Sequence, residues 1–117
     1  MNKRSLGQEQ EALAAKTLEQ FGYQIIERNY RCRAGEIDLI ARHRGYLVFI
    51  EVKYRKNGEK GGPEEAVNLR KQRQISKVAA WYLAERRLDL YTPCRFDVAA
   101  VTPDGVKIYE NAFPYRR

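Results

Sequence analysis

Apolar residues recur along this chain with two different periods, and the switches between them divide it into seven segments. From residue 5 to about residue 21 the spacing is helical, with Ala14, Ala15, Leu18 and Phe21 on one stripe. Ser5 and Gln8 have the spacing of a capping box at its start, and Gly22 is placed to stop it. Glu11 falls on that same stripe, one turn before Ala14 and Ala15, so an acid is aimed at the rest of the protein. The stretch YQIIERNYR (23–31) is β-branched and aromatic and predicts a strand. Residues 35–42 and 46–54 predict a hairpin. Three glycines and mixed charge without periodicity then predict a loop over 55–63.

Pro63 suits the first position of a second helix, with Glu64 and Glu65 favourable at its positive end. That helix is expected to run to about Arg87 and to bury Val67, Ile75, Val78, Ala79 and Tyr82. Two further strands, 95–101 and 106–112, are joined by the turn Thr102-Pro-Asp-Gly105. The tail, 113–117, is expected to be loosely held. The order αβββαββ predicts an α/β fold, one domain over 1–117 with a mixed five-stranded sheet and flanking helices.

With 117 residues the chain supports one core and not two. No apolar run approaches the ~20 residues of a membrane span, and the first residues lack the apolar core of a signal peptide. Cys32 and Cys94 are far apart and outside any C-x-x-C pair, which favours idle thiols in a reducing cytoplasm over a disulfide or zinc site. Charge changes the picture more. Twenty-two Lys and Arg against 15 Asp and Glu give a net charge of +7, which points to a polyanionic partner, nucleic acid first.

The hairpin segment GEIDLIARHRGYLVFIEVK (35–53) is the most core-like in the chain, yet it carries Glu36, Asp38, Glu51 and Lys53. By alternation Leu47, Phe49, Glu51 and Lys53 share one face, and Glu36, Asp38 and Ile40 share one face of the other strand. A two-residue turn at Arg44-Gly45, or a four-residue loop, pairs positions that sum to 89 and so opposes Asp38 to Glu51. A three-residue loop would put the two acids on opposite faces. Opposed carboxylates repel, so either one takes up a proton or a cation sits between them. Hard oxygens without a nearby thiolate suit Mg²⁺ or Mn²⁺. Lys53 would then reach a bound water or a phosphate oxygen, a set suited to phosphodiester hydrolysis. An E-x-K tripeptide alone arises by chance roughly 0.4 times in a chain of this size. The opposing acid is what sharpens the signal.

The arrangement Asp38…Glu51-Val52-Lys53 resembles the PD-(D/E)xK signature of restriction-endonuclease-like nucleases. Over residues 5–101 the chain resembles the bacterial YraN-like family, related to Holliday-junction resolvases. The likeness is carried by Gln10-Glu11-x-x-Ala14, Gly22-Tyr23, Arg28-Asn29-Tyr30, Gly35-Glu-Ile-Asp-Leu-Ile40, Val48-Phe-Ile-Glu-Val-Lys53, Lys71 and Arg95-Phe-Asp97. Ile37 stands where the broad signature has Pro, and Gln10 where relatives usually have Gly. The resemblance implies a restriction-endonuclease-like fold and a Mg²⁺- or Mn²⁺-dependent DNA endonuclease, with branched DNA as a candidate substrate. It implies Asp38, Glu51 and the Val52 carbonyl as metal ligands, Lys53 as the catalytic lysine and Glu11 as the helix acid completing the site. Resolvase-like relatives act as dimers, so a homodimer is a further expectation. The alternative is a non-catalytic nucleic-acid-binding protein on the same fold.

Among the remaining residues, Glu36 shares a face with Asp38 but lies nearer the strand start, and is read as structural or as supporting the metal ligands without touching the ion. Lys71 lies on the buried stripe of the second helix, either extending its amine to the surface or contacting phosphate. Arg42, Arg44, Arg55 and Lys56 flank the hairpin and are candidates for DNA-backbone contacts. Arg70, Arg73 and Lys77 read as a solvated helix face. Asp97 reads as an ion-pair partner of Arg95, and His43 has no catalytic role. Trp81, with Tyr82, is assigned to the core or a subunit interface.

Overall fold

The structure, a computed structural model, describes residues 3–56, 67–89 and 91–117. Helix α1 (Lys3–Gln20) leads into strands β1 (Gln24–Cys32), β2 (Gly35–His43) and β3 (Tyr46–Tyr54). Helix α2 (Leu69–Glu85) then crosses to β4 (Cys94–Thr102), followed by β5 (Gly105–Tyr109). The five strands form one mixed sheet in the order β1-β2-β3-β4-β5, antiparallel except for the parallel β3–β4 pair that the α2 crossover permits. The expected element order holds.

Among the described residues, each sheet face carries one helix. Ala14, Ala15 and Leu18 of α1 pack on Leu39, Ala41, Val48, Ile50, Ala99 and Val101. On the other face, Ile75, Val78, Ala79 and Tyr82 of α2 pack on Ile40, Leu47, Phe49, Phe96 and Val98. In β3 the alternation is regular, so Leu47 and Phe49 belong to the α2 side while Val48 and Ile50 belong to the α1 side.

Several boundaries differ from the expectations. Helix α1 already includes Ser5, so Ser5 is not its N-cap. Phe21 is 63% exposed and lies beyond the helical stripe, because the chain turns out at Gly22 (φ 89°). There the Tyr23 N–H donates to the Leu18 carbonyl and the Gly22 N–H to the Glu19 carbonyl, while Tyr23 and Leu18 share a core cluster. This is a Schellman stop, and Gly22 supplies its left-handed residue. Pro63, Glu64 and Glu65 lie outside the described residues. Helix α2 begins at Leu69, capped by Asn68, whose side chain accepts from the Lys71 N–H at 2.9 Å. Val67 is buried as expected, though ahead of the helix. Trp81 is 45% exposed and is not a core residue; Tyr82 fills that role.

The tail is held, not loose. Phe113 is buried and stacks on Phe96 with ring centroids 5.1 Å apart. Arg116 donates from its backbone to Ser76 Oγ and from Nε to Gln72 Oε1. Cys32 and Cys94 are free and half-buried, and burial pushes the Cys94 thiol up.

Candidate functional site

The hairpin register places the site. Arg44 (φ 50°) and Gly45 (φ 84°) form a two-residue turn with both residues left-handed, as a type I′ turn requires. His43 pairs with Tyr46, and the pairs run inward to Leu39–Ile50, each summing to 89. Past that point the ladder ends. Residues 36 and 37 pair only with β1, while residues 51–54 pair only with β4. The sheet forks between β2 and β3, and Asp38 and Glu51 stand at the mouth of the fork.

Asp38 fills the gap with its side chain. Its Oδ2 accepts the Val52 N–H at 2.8 Å, taking the place of a cross-strand carbonyl. A strand residue's N–H and C=O leave the chain on the same side, so the Val52 carbonyl also faces the fork. Strict alternation in β2, expected to put Glu36, Asp38 and Ile40 on one face, breaks here. Ile37 packs in the α2-side cluster with Ile40, while Leu39 between them packs on the α1 side. Across the β1–β2 pair, Asn29 adopts a left-handed conformation (φ 53°), which turns the local strand direction where the alternation fails.

Asp38 therefore borders acids from both faces. From the α2 side, Glu51 lies close enough to share a hydrogen bond with it. Burial first, then the Asp38 charge and that hydrogen bond, push the Glu51 carboxyl up to about 8. Lys71 opposes the shift, with its Nζ 3.5 Å from Glu51 Oε2. From the α1 side comes Glu11, which is also raised, by burial first and then by Asp38 and Glu36. The Asn29 carboxamide, with its nitrogen turned toward the acids, donates to Glu11 Oε1 at 2.7 Å and Glu36 Oε1 at 3.1 Å. Sequence reasoning places Asn29 within a motif but gives it no role. Its signal is an asparagine, a residue tolerant of left-handed backbone, inside a strand.

The remaining site residues separate. Glu36 has partners of its own, Arg31 at 3.4 Å and Asn29, in keeping with a structural reading. Lys53 is exposed, two residues past Glu51 on the same side of a regular strand. Arg42 and Arg44 sit at the hairpin tip, roughly 13–20 Å of strand away from Asp38. Arg44 pairs there with Glu110 at 3.6 Å. Arg55 is buried and already engaged, so it is no surface contact for DNA. Lys56 is exposed. Of the five cations assigned to DNA, only Lys71 touches the acid pair.

Residues 10–101 match the model of the Uncharacterised protein family UPF0102. The chain belongs to the UPF0102 family. A UPF0102 protein of Lachnoclostridium phytofermentans is 54% identical over 113 residues, covering 97% of this chain and 96% of its own. One of Geobacter metallireducens is 49% identical over 117 residues, with 97% and 95% covered. One of Syntrophotalea carbinolica is 49% identical over 110 residues, with 94% and 89% covered. The expected YraN-like membership holds, and the fork, both acids, Lys53, Lys71 and Asn29 all lie inside the family region.

The donor chemistry decides whether a divalent ion suits this fork. Among the described residues, no three His, Cys, Asp or Glu side chains converge into a ready cage. What the fork offers is two hard carboxylates, an outward carbonyl and an open side for water. Mg²⁺ is ordinarily held by one or two carboxylates with several waters retained, so these residues fit it, and Mn²⁺ shares its preference for oxygen. Glu51 is only 13% exposed, and among the described residues Lys71 is the one cation at ion-pair range of it. Among the described residues, no helix is long and apolar enough to cross a membrane.

Proposed function

We propose that this UPF0102 chain is a Mg²⁺- or Mn²⁺-dependent endonuclease that hydrolyses DNA phosphodiester bonds, on a fold of the restriction-endonuclease-like, resolvase-related type. The observation that carries the reading is the fork, where the half-buried Asp38 borders the largely buried Glu51 side chain and Lys53 stands just beyond them. A sheet gains nothing structurally from opposed acids. A site that must bind a dication does.

In this reading Asp38, Glu51 and the Val52 carbonyl hold the ion, which when bound supplies charge neutralisation and a more acidic water. Lys53 places a cation where negative charge grows on the phosphoryl oxygens. Glu11 acts on the α1 side, where its raised carboxyl, held by Asn29, can carry a proton to or from water near Asp38. Burial on both faces keeps these groups in place, since Asp38 is tied to the Val52 backbone.

Labelled linear, flapped and four-way-junction DNA incubated with Mg²⁺ or Mn²⁺ tests this. Cleavage is expected, and it should disappear in Glu51→Ala. Cutting that persists in that variant places the chemistry elsewhere or in a contaminant. A non-catalytic DNA-binding protein on this fold would instead bind without cutting, and Asp38→Asn would leave its binding unchanged or tighter.

A further inference from the structure

Helix α2 carries four cations within eight residues, Arg70, Lys71, Arg73 and Lys77. By sequence they read as one inward lysine and a solvated face. The structure gathers them instead on one groove of about 600 Å³, which runs between the start of α2 and the turn before β2 at Ala34. Arg70, Arg73 and Lys77 are exposed, and among the described residues none of the three forms an ion pair. Elsewhere the protein matches its buried arginine with acids, as at Arg95–Asp97. Three cations without an ion pair among the described residues, set in a concave surface, are a store of positive potential.

The groove leads to the fork. Its fourth cation, Lys71, is the one whose amine lies 3.5 Å from Glu51. Its floor is set by a close approach. Gln74 packs on Gly35, where an added Cβ would meet the Gln74 amide nitrogen at 2.7 Å. The Gln74 Nε2 also donates to the Ala34 carbonyl at 3.4 Å. The turn before β2 is therefore fitted to the helix, and the groove keeps a fixed course toward the acids.

We propose that this α2 groove is the track for the phosphodiester backbone, with Arg70, Arg73 and Lys77 each neutralising a phosphate and Lys71 marking where the strand meets the acid pair. The proposal rests on the nuclease reading, and it assigns the DNA to the α2 face and not to the hairpin tip. Cations on a concave wall follow a chain of regularly spaced anions, which distinguishes a polynucleotide from a single small anion. The helix N-terminus beside Asn68 has the same electrostatic sign.

Fluorescence anisotropy with labelled duplex and four-way-junction DNA in EDTA separates binding from cleavage. Each neutralised phosphate contributes about 0.9 to the slope of log K against log salt. Arg70→Gln with Arg73→Gln and Lys77→Gln should lower that slope by roughly 2–3 and weaken binding roughly tenfold to hundredfold between about 50 and 200 mM salt. The matched control is Lys16→Gln with Arg87→Gln and Lys107→Gln. These exposed cations lie outside the groove, and the triple lowers net charge equally. The control should keep most of the affinity, and thermal melting should show both triples folded. Equal losses in the two triples, or no loss in the groove triple while the wild type binds, would overturn the track and leave the nuclease reading standing. No salt-dependent binding by the wild type would overturn both.

Discussion

Two acid sites are built into neighbouring strands of this sheet, and the protein treats them in opposite ways. At one, Asp97 is fully buried, and every demand it makes is met. Arg95 binds it through Nε and Nη2 at 2.9 and 2.8 Å, Tyr23 donates at 2.6 Å, and the Asn111 N–H donates at 3.0 Å. Tyr23 in turn stacks on His43 at 3.8 Å, and Arg95 Nη2 lies 2.7 Å from His43 Nδ1. Because a guanidinium only donates, Nδ1 must accept, which leaves Nε2 to donate to the Phe21 carbonyl at 3.3 Å. At the fork, by contrast, Asp38 faces Glu51 and borders Glu11, with Lys71 at 3.5 Å from Glu51 and the more distant Arg31 and Arg28 acting on Glu11 to offset them only in part. A compensated buried acid ties elements together. An uncompensated pair stores repulsion that only a proton or a cation relieves.

That contrast can be broken by mutation. Asp97→Ala should be the most damaging change, because it takes the bidentate carboxylate from the buried Arg95 guanidinium and leaves, as its acid contact, only the longer one to Glu110 at 3.5 Å. A loss of roughly 3–5 kcal/mol in urea unfolding is expected. Asp38→Asn should cost far less, since it removes repulsion. If the two variants lose equal stability, the two sites are not different in kind.

Next in size is Glu51→Gln, whose effect depends on pH. The folded carboxyl is raised to about 8 against an ordinary value of 4.5. The folded state therefore holds the extra proton between those values, so Glu51 supports stability below about pH 4.5 and that support is lost as pH rises through 8. The amide should be roughly 2–4 kcal/mol more stable than wild type at pH 9 and little different at pH 5, by thermal melting. A gain that is the same at both pH values would mean that the proton is not where the fork places it.

Smaller effects follow at Lys53 and Gly35. Lys53 is exposed, so Lys53→Met should leave the melting temperature within about 2–4 °C while cutting DNA cleavage roughly tenfold to hundredfold. Gly35→Ala combines a left-handed backbone (φ 142°) with a clash against Gln74 and should cost about 1 kcal/mol or slightly more. Stability equal to wild type in that variant would show that the turn can part from the helix.

Much of the fold was readable because strand alternation and turn chemistry are local. Arg44-Gly45 sets the hairpin register, and with it the meeting of Asp38 and Glu51. The site's finer form was not readable, because the fork depends on β3 leaving β2 to pair with β4, a partner 47 residues further along the chain. Ile37 changed faces where the alternation of β2 breaks, opposite the left-handed Asn29. Arg42 and Arg44 are close to Asp38 in sequence but stand at the far end of the hairpin from it. Asn29 acts through a left-handed backbone and two acids from separate elements, which no spacing rule encodes. Phe113 found its partner, Phe96, across the α2-side core from a tail with no periodicity.

Everything proposed for the fork depends on its exchanging a proton for a divalent ion. Calorimetric titration with Mn²⁺ at pH 7, repeated in two buffers of different ionisation enthalpy, measures both the binding and the protons displaced. Binding with release of protons is expected, because burial and the Asp38 charge raise the Glu51 carboxyl and a bound cation favours its ionised form, and both signals should vanish in Asp38→Asn. No binding by the wild type, or binding that Asp38→Asn leaves intact, would contradict it.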